Sequence, residues 1–412
     1  MIKPGMMLTT KTGRTLKVLE GLGIGGQGTV VKARDMASRR LFAVKIFHPA
    51  YANAETIARL EYLYALRLHA LCPVFVGPLE LIHDHGQVGY IADYIPGKPL
   101  KEFLEKETCK FMELLVLALT LANAFAKLHD RNIANGDIRE ANVLVRRNGA
   151  VICAHIIDND NFNAPSVPKP PCYGNEVYFS PELYAASVEN RVRHPDIGSD
   201  KYEFFVLMHE TILLKHPAAG WMKPEERFNY AMYKGIWRHH PYYGTWPADV
   251  KGYPPRTLNA RLINLFNQGI SLDPDARPST TAWREALFAT LGEVHICEAC
   301  GWPCLVDVSK TICPSCQRPY PVRKLVLPSG HSIQIDAGYM PIGRNELNGA
   351  MMVSAIHAVF RRIGPEVIVE SLGQNGTYRK TDKAWVRLPP AKPVTLYPGD
   401  VLRLADIEVR IE

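Results

Sequence analysis

The chain has 412 residues, of which 47% are hydrophobic, and carries a formal net charge of +7 at pH 7. This length suggests two or three domains, and the modest charge, which is not gathered into a basic tail, argues against a nucleic-acid-binding protein. The longest uncharged apolar stretch, residues 114–126, is too short to cross a bilayer. Since the N-terminus also lacks an apolar signal core, the sequence predicts a cytoplasmic protein with no membrane partner.

A glycine-rich segment lies near the N-terminus and leads into two predicted β-strands. Residues 29–31 and 41–47 are β-branched or apolar runs joined by a polar turn. A glycine loop between strands lets backbone N–H groups approach phosphates, because no Cβ interferes. In a dinucleotide-binding unit the glycines would instead open a helix. The sequence therefore favours a nucleotide-phosphate loop, which reads Gly23-x-Gly25-x-x-Gly28-x-Val30 and is followed by Ala43-Val44-Lys45.

Two further motifs follow a long apolar helix predicted over residues 111–129. Asp137 and Asn142 are five positions apart, and Asp158 ends another apolar strand. Mg²⁺ takes oxygen ligands such as these, and phosphoryl transfer requires a protein mainly to hold a nucleotide, neutralise charge and orient a hydroxyl group. The sequence therefore predicts a site for ATP with Mg²⁺ or Mn²⁺.

Together these motifs resemble the bacterial eukaryotic-type (Hanks-type) Ser/Thr protein kinases over residues 1–292. The resemblance implies a bilobal α+β fold, with an N-lobe over about residues 1–95 and a C-lobe over about residues 96–292. It also implies a kinase that acts on protein substrates and phosphorylates itself.

In this resemblance the N-lobe holds most of the nucleotide. Lys45 would contact the α- and β-phosphates and pair with Glu61, on a helix predicted over residues 54–68. The alternative for Glu61 is a solvated surface glutamate. Asp93 and Ile95 lie in the segment that would accept the adenine, and the glycine loop and the strand of Lys45 would complete the site.

The resemblance also places the catalytic residues in the loop that begins at Asp137. By the same resemblance, Asp137 would accept or orient the proton of the substrate hydroxyl, and Arg139 would keep a positive charge beside it. Asn142 and Asp158 would hold the metal ion.

Several positions depart from the family pattern. The family's His-Arg-Asp reads Asn135-Gly136-Asp137, and its Asp-Phe-Gly reads Asp158-Asn159-Asp160. Without an Arg at position 136, a phosphate on the activation loop would lack its usual partner. Asn159 removes the packing residue that marks active and inactive states, and Asp160 adds a carboxylate beside the metal site.

Two other functions fit these departures. Small-molecule phosphotransferases similar to choline and aminoglycoside kinases carry a similar pair of motifs, and a pseudokinase scaffold would bind nucleotide without turnover. Later motifs favour a protein kinase, since in that family Glu182 would pair with Arg277, and Asp200 would cap the catalytic loop. The segment 158–182 contains no threonine, so autophosphorylation there would use Ser166, Tyr173, Tyr178 or Ser180.

Five of the nine cysteines lie close together after the kinase-like region. Four of them form the motifs Cys297-x-x-Cys300 and Cys313-x-x-Cys316. This spacing is typical of two knuckles that place four thiolates around Zn²⁺, which would be structural because no coordination position stays open. Residues 293–322 are therefore predicted to form a zinc ribbon that folds with its metal. Cys304 is either a substitute ligand or a packed spare thiol.

The last region, residues 323–412, consists of short alternating strands separated by turns, which predicts a β-sandwich. The motifs Gly343-Arg344, Ser354-x-x-His357 and Asn375-Gly376 resemble the forkhead-associated (FHA) domain, a phosphothreonine-binding sandwich. The resemblance implies that Arg344 and Ser354 bind the phosphate, that His357 braces the loop and that Asn375 binds the peptide backbone. Ala355 removes a further phosphate contact. The alternative is a sandwich kept for protein packing.

The predicted fold class is thus a multidomain protein with a bilobal kinase-like fold, a small zinc ribbon and an all-β FHA sandwich. The FHA domain would recruit phosphothreonine-bearing partner proteins. This order of modules resembles bacterial kinases of tellurite-resistance-associated phosphorylation systems, which implies a phosphatase and a von Willebrand-type protein as further partners.

Overall fold

The computed structural model describes residues 2–84, 86–170, 177–219, 234–246, 252–306, 311–335 and 339–412. The chain forms two compact units. The first comprises Met1–Pro255 and Arg261–Leu291, and the second comprises Arg256–Ala260 and Gly292–Glu412. Tyr173, one of the candidate phosphorylation sites, lies outside the described residues.

The first unit opens with an antiparallel sheet. Its strands are β1 (Met7–Thr9), β2 (Thr15–Ile24), β3 (Gly28–Asp35), β4 (Leu41–Phe47), β5 (Glu80–Asp84) and β6 (Gln87–Asp93), in the spatial order β1-β2-β3-β4-β6-β5. One face is buried in an apolar core that includes Phe42 and Val44. Because side chains alternate along a strand, Lys45 lies on the opposite face. There a second core joins Phe47 to Leu60 of the helix α1 (Ala54–Leu66).

The rest of the first unit is mainly helical. Its helices are α2 (Leu68–Leu71), α3 (Leu100–Lys106), α4 (Phe111–His129), α5 (Pro181–Val188), α6 (Ile197–Leu213), α7 (Ala260–Gly269) and α8 (Thr280–Thr290), and a short sheet contains β7 (Lys98–Pro99), β8 (Val143–Asn148) and β9 (Val151–Ile156). The helix α4 has the bounds predicted from the sequence and packs against α6 and α8. Although α4 has the length and composition of a membrane span, most of its side chains are buried by these neighbours. It is therefore a core helix of this unit.

An ion pair fixes the start of α5. The guanidinium of Arg277 is fully buried and donates to the two carboxylate oxygens of Glu182 at 2.8 and 2.7 Å, and to the carbonyl of Gly198 at 2.8 Å. Two parallel bonds of this kind constrain orientation as well as distance. The pairing predicted from the sequence is thus present.

The second unit is an all-β region. Its strands are β10 (Val294–Ile296), β11 (Pro303–Leu305), β12 (Lys324–Val326), β13 (Ser332–Gln334), β14 (Met340–Ile342), β15 (Ala358–Ile363), β16 (Glu366–Ser371), β17 (Thr377–Lys380), β18 (Trp385–Arg387), β19 (Pro393–Leu396), β20 (Val401–Leu404) and β21 (Ile407–Ile411). Two sheets, ordered β13-β12-β21-β20-β17-β18 and β14-β15-β16-β19, share one apolar core. The cysteine-rich segment packs on this sandwich, because Val306 and Tyr320 share a smaller core with Ile363 at the end of β15.

Candidate active site

The candidate catalytic loop is held by carboxylates of α6. Asp200 accepts hydrogen bonds from the backbone N–H groups of Asn135 at 2.6 Å and Gly136 at 2.9 Å. Glu203, about one turn further along α6, accepts a bond from the N–H of Ile138 at 3.0 Å. These donors are buried, and buried backbone groups need such partners. Asp200 therefore caps the loop as predicted, and Glu203 adds a second support.

Gly136 occupies a position that only glycine fits. Its φ is +76°, and a Cβ added there would lie 2.6 Å from the carbonyl oxygen of Asn161. An arginine at this position would be strained and would displace the segment after Asp158. The departure from the family's His-Arg-Asp is therefore built into the backbone.

Asp137 lies beside both of its predicted neighbours. Its carboxylate accepts a bond from the amide nitrogen of Asn142 at 2.8 Å, and the Nε of Arg139 lies 3.2 Å from the other oxygen. The same amide nitrogen donates to the carbonyl of Asp137 at 3.0 Å, so the amide oxygen is the atom that Asn142 can offer to a metal ion. Burial raises the pKa of the Asp137 carboxyl, although Arg139 and Asn142 oppose this effect.

Lys45 meets two carboxylates from the segment that follows β9. Its ammonium bonds to Asp158 and lies 2.9 and 2.8 Å from the two oxygens of Asp160. Asp158 has a left-handed backbone, with φ of 57°, and opens a short 3₁₀ turn at Asn159–Asn161. This turn brings both carboxylates onto one ammonium. The hydroxyl of Tyr90 lies 3.5 Å from Asp160.

Burial and charge oppose each other in this cluster. Burial lowers the pKa of the Lys45 ammonium, but the carboxylates of Asp160 and Asp158 outweigh burial and hold that pKa above its usual value. Burial raises the pKa of Asp160 to about 7, although Lys45 opposes this effect. Burial acts on Asp158 in the same direction, but Lys45 and the hydrogen bonds hold its pKa below the usual range. Lys45 and Asp158 are therefore charged at neutral pH.

The predicted pairing of Lys45 with Glu61 is wrong in this structure. The side chain of Glu61 is 53% exposed and pairs with Lys11 at 2.9 Å. The buried face of α1 includes Arg59 and Leu60, and the 3.6-residue period directs Glu61 away from it. The alternative reading, a solvated surface glutamate, describes what is observed.

The glycine loop lies between β2 and β3. Gly28 must lack a side chain, because a Cβ there would meet a backbone carbonyl of β4 at 2.5 Å, whereas Gly23 and Gly25 have no such close neighbour. Gln27 donates a hydrogen bond to the side-chain oxygen of Asn161 at 2.7 Å. The loop therefore contacts the same segment that carries the two carboxylates.

The other predicted nucleotide contacts fall into two groups. Val30 is the register partner of Lys45, and Ala43 lies two positions before Lys45 on the same strand, so these side chains share a face with the ammonium. Asp93 is the last residue of β6 and forms an ion pair with Arg40. Ile95 lies half-buried just beyond that strand. The structure thus brings Val30 and Ala43 beside Lys45 and places Asp93 and Ile95 after the strand end.

Comparison with protein families gives a match to the protein kinase domain over residues 16–289. The chain belongs to the protein kinase family. A probable serine/threonine-protein kinase of Clostridium perfringens is 26% identical over 266 residues, which are 62% of this chain and 34% of the relative. One of Bacillus subtilis is 31% identical over 136 residues, which are 31% of this chain and 52% of the relative. The chain therefore spans about a third to a half of the length of these curated relatives.

Among solved structures, the kinase domain of PknI of Mycobacterium tuberculosis is similar to this chain with a TM-score of 0.46 and 16% identity. The alignment covers 71% of this chain and all of that domain.

Two residues that depart from the kinase pattern, Asn135 and Asn159, form a hydrogen-bonded pair. The amide nitrogen of Asn135 donates to the side-chain oxygen of Asn159 at 3.1 Å, while the oxygen of Asn135 accepts from the N–H of Asp137 at 3.2 Å. Asn159 in turn donates to the carbonyls of Ile156 at 3.0 Å and Val76 at 3.2 Å. Both asparagines are buried. This chain of bonds, the amide relay, joins the catalytic loop to the segment of Asp158.

Sequence reasoning missed several residues that shape this site. Glu203 lies three positions after Asp200, a spacing that puts both carboxylates on one side of a helix, and that signal could have identified it. Arg59 and Gln27 carry no comparable signal, because their contacts with residues 169 and 161 join segments that are distant in the sequence. Asp160 was expected only as a metal contact, and its bond to Lys45 was not foreseen.

The four cysteines of the predicted ribbon converge. Their sulfur atoms all lie within 4.8 Å of one another, with distances of 4.0 Å between Cys297 and Cys316 and 3.7 Å between Cys300 and Cys313. Tetrahedral zinc with bonds near 2.3 Å requires sulfur separations of about 3.8 Å, so the arrangement fits a zinc ion. Cys304 is not one of these four; it is fully buried in the same small core, with its sulfur 3.1 Å from the hydroxyl of Tyr320.

The predicted phosphopeptide loops are joined by a buried histidine. His357 accepts a bond from the N–H of Ser354 at 3.3 Å through Nδ1, and its Nε2 donates to the carbonyl of Gly376 at 2.8 Å. Gly343 and Gly373 pack so closely that a Cβ on either would fall within 2.3 Å of a neighbouring atom. The loops are therefore held in one arrangement.

The three predicted ligand-binding side chains lie around these loops. Arg344 is exposed and donates to the carbonyl of Val353 at 3.1 Å. Asn375 is also exposed and donates to the carbonyl of Met352 at 2.7 Å. The hydroxyl of Ser354 accepts a hydrogen bond from the backbone N–H of Gln374 at 3.3 Å.

The amide relay predicts a measurable stability effect. Asn159→Leu keeps the branched shape of the side chain but leaves the carbonyl of Val76 and the amide of Asn135 without this partner, whereas the carbonyl of Ile156 still accepts from the N–H of Val76. Each such group costs about 1–3 kcal/mol, so the free energy of unfolding of the first unit should fall by about 2 kcal/mol or more. Urea unfolding measures this change. Asn148→Leu, at an exposed site on β8, should change it by less than about 0.5 kcal/mol, and equal effects of the two substitutions would contradict the relay.

Proposed function

We propose that this chain is an ATP- and Mg²⁺-dependent Ser/Thr protein kinase, stabilised in its second unit by structural zinc and carrying an FHA-type reader of phosphothreonine. The observation that carries the catalytic part is the convergence of Lys45, Asp137, Asn142 and Asp158. The relatives named as probable serine/threonine-protein kinases support it.

Each side chain has a chemical task in the proposed reaction. Asp137 orients the substrate hydroxyl and accepts its proton, for which a raised pKa is favourable. Asn142 and Asp158 hold the metal, which neutralises charge on the transferring phosphoryl group. Lys45 binds the phosphates, and Arg139, beside Asp137, adds positive charge near the transferring group.

A pseudokinase scaffold is the second candidate, because Lys45 does not pair with Glu61. Against it, the carboxylates and the amide that phosphoryl transfer needs are all present and held by hydrogen bonds. A small-molecule phosphotransferase is disfavoured, since the pairing of Glu182 with Arg277 and the match over residues 16–289 are those of protein kinases.

Transfer of labelled γ-phosphate from ATP to a generic protein and to the chain itself tests the kinase. Asp137→Ala and Asp158→Ala should each lower transfer by at least about 100-fold, because each removes a group that acts on the reacting atoms. Asp275→Ala, an exposed position, is the matched control. ATP binding without transfer would favour the scaffold, and labelling of a sugar or amino alcohol instead would favour the small-molecule enzyme.

The zinc proposal rests on the four convergent sulfur atoms. Purified protein should contain about one equivalent of zinc, because a four-thiolate site binds it tightly. Cys300→Ser should lose the metal, whereas Cys304→Ala should retain it, since Cys304 lies beside Tyr320. Elemental analysis measures both. Retention by the first variant, or less than about half an equivalent in the parent chain, would contradict the site.

The reader proposal rests on Arg344 and Ser354 in loops braced by His357. A guanidinium and a hydroxyl supply charge-assisted donors to phosphate oxygens, and Asn375 would meet the peptide backbone. The partners of this site are proteins that carry phosphothreonine. Since residues 158–182 contain no threonine, the recognised phosphothreonine lies outside the activation segment of this chain.

Titration of the whole chain with a phosphothreonine peptide and its unphosphorylated form tests the reader. The phosphorylated peptide should bind at least about tenfold more tightly, and Arg344→Ala should remove that difference, because the guanidinium pairs with the phosphate. Arg410→Ala, an exposed arginine on β21, should leave it intact. Equal affinities for the two peptides would refute the assignment.

A further inference from the structure

The segment after β9 supplies the carboxylates that neutralise Lys45. Asp160 places both of its oxygens within 2.9 Å of the ammonium, and its own side chain is almost completely buried. Asp158 also bonds to the ammonium but is more exposed. A buried lysine needs polar partners at fixed positions, and Asp160 is the partner that water reaches least.

The helix α1 is fixed in an orientation that keeps Glu61 outside this cluster. Arg59 takes the inward position, donates to Thr56 at 2.9 Å and to the carbonyl of Lys169 at 3.3 Å, and interacts electrostatically with Asp160. The ring of Tyr62 stacks on Phe162, with the ring centroids 5.4 Å apart. Rotation of α1 to bring Glu61 inward would therefore break contacts on both sides of that residue.

We infer that Asp160 is the positioning residue of Lys45 and replaces the helix glutamate in that task. The inference rests on the proposed nucleotide site. In this arrangement the lysine is set by the same turn that presents Asp158 to the metal, so one segment positions both groups. Positioning of Lys45 then does not depend on movement of α1.

Binding of a non-hydrolysable ATP analogue with Mg²⁺, measured by calorimetry, tests this inference without requiring turnover. Asp160→Asn should weaken binding about tenfold, because Lys45 loses its fixed partner. In a Lys45→Met background the same substitution should have little further effect on affinity, since the effects of two substitutions that remove the same contact do not add. Glu61→Ala should change affinity by less than about threefold, as should Lys11→Ala, which removes the observed partner of Glu61.

The magnesium dependence of binding separates positioning from metal ligation. If Asp160 acts through Lys45, the Mg²⁺ concentration for half-maximal binding in Asp160→Asn should stay within about twofold of the value for the parent chain. Loss of a metal ligand would instead raise that concentration by about tenfold or more. Strong weakening by Glu61→Ala, a full additional loss in the Lys45→Met background, or that metal shift would overturn the inference. A chain that binds the analogue normally but transfers no phosphate would overturn the proposed kinase activity instead.

Discussion

The bonds between the carboxylates of α6 and the backbone of the catalytic loop are the constraint on which the site depends. Asp200 and Glu203 accept from three buried N–H groups, so the loop cannot relax without leaving those donors unpaired. The fixed loop gives Asp137 and Asn142 their geometry, and the buried pairing of Arg277 with Glu182 fixes the start of the neighbouring α5. Rigid support of this kind is what positions reacting groups in an active site.

The departures from the kinase pattern compensate for one another. Gly136 allows the carbonyl of Asn161 to approach the loop, and Asn135 and Asn159 bond to each other in the amide relay. Asp160 supplies Lys45 with a carboxylate that α1 does not provide. Substitutions whose polar groups form hydrogen bonds and ion pairs with one another are typical of a sequence that specifies one structure, rather than of a site that has lost its function.

The sequence predicted what local spacing determines. The bounds of α4, the strands around the glycine loop and the convergence of four cysteines follow from periodicity and motif spacing. The wrong prediction, Glu61, depended on which face of α1 turns inward, and contacts of Arg59 and Tyr62 with segments distant in the sequence decide that. Strands β15 and β17 were not predicted, because each contains two adjacent basic residues, Arg361–Arg362 and Arg379–Lys380, which interrupt the apolar alternation on which strand prediction relies.

The proposed function requires Lys45, Asp137, Asn142 and Asp158 to surround one nucleotide. A crystal structure of the chain with Mg²⁺ and a non-hydrolysable ATP analogue tests it most directly. We expect a metal ion bound to Asn142 and Asp158 and phosphates in contact with Lys45. A nucleotide bound elsewhere, or a metal ion that neither side chain contacts, would contradict it.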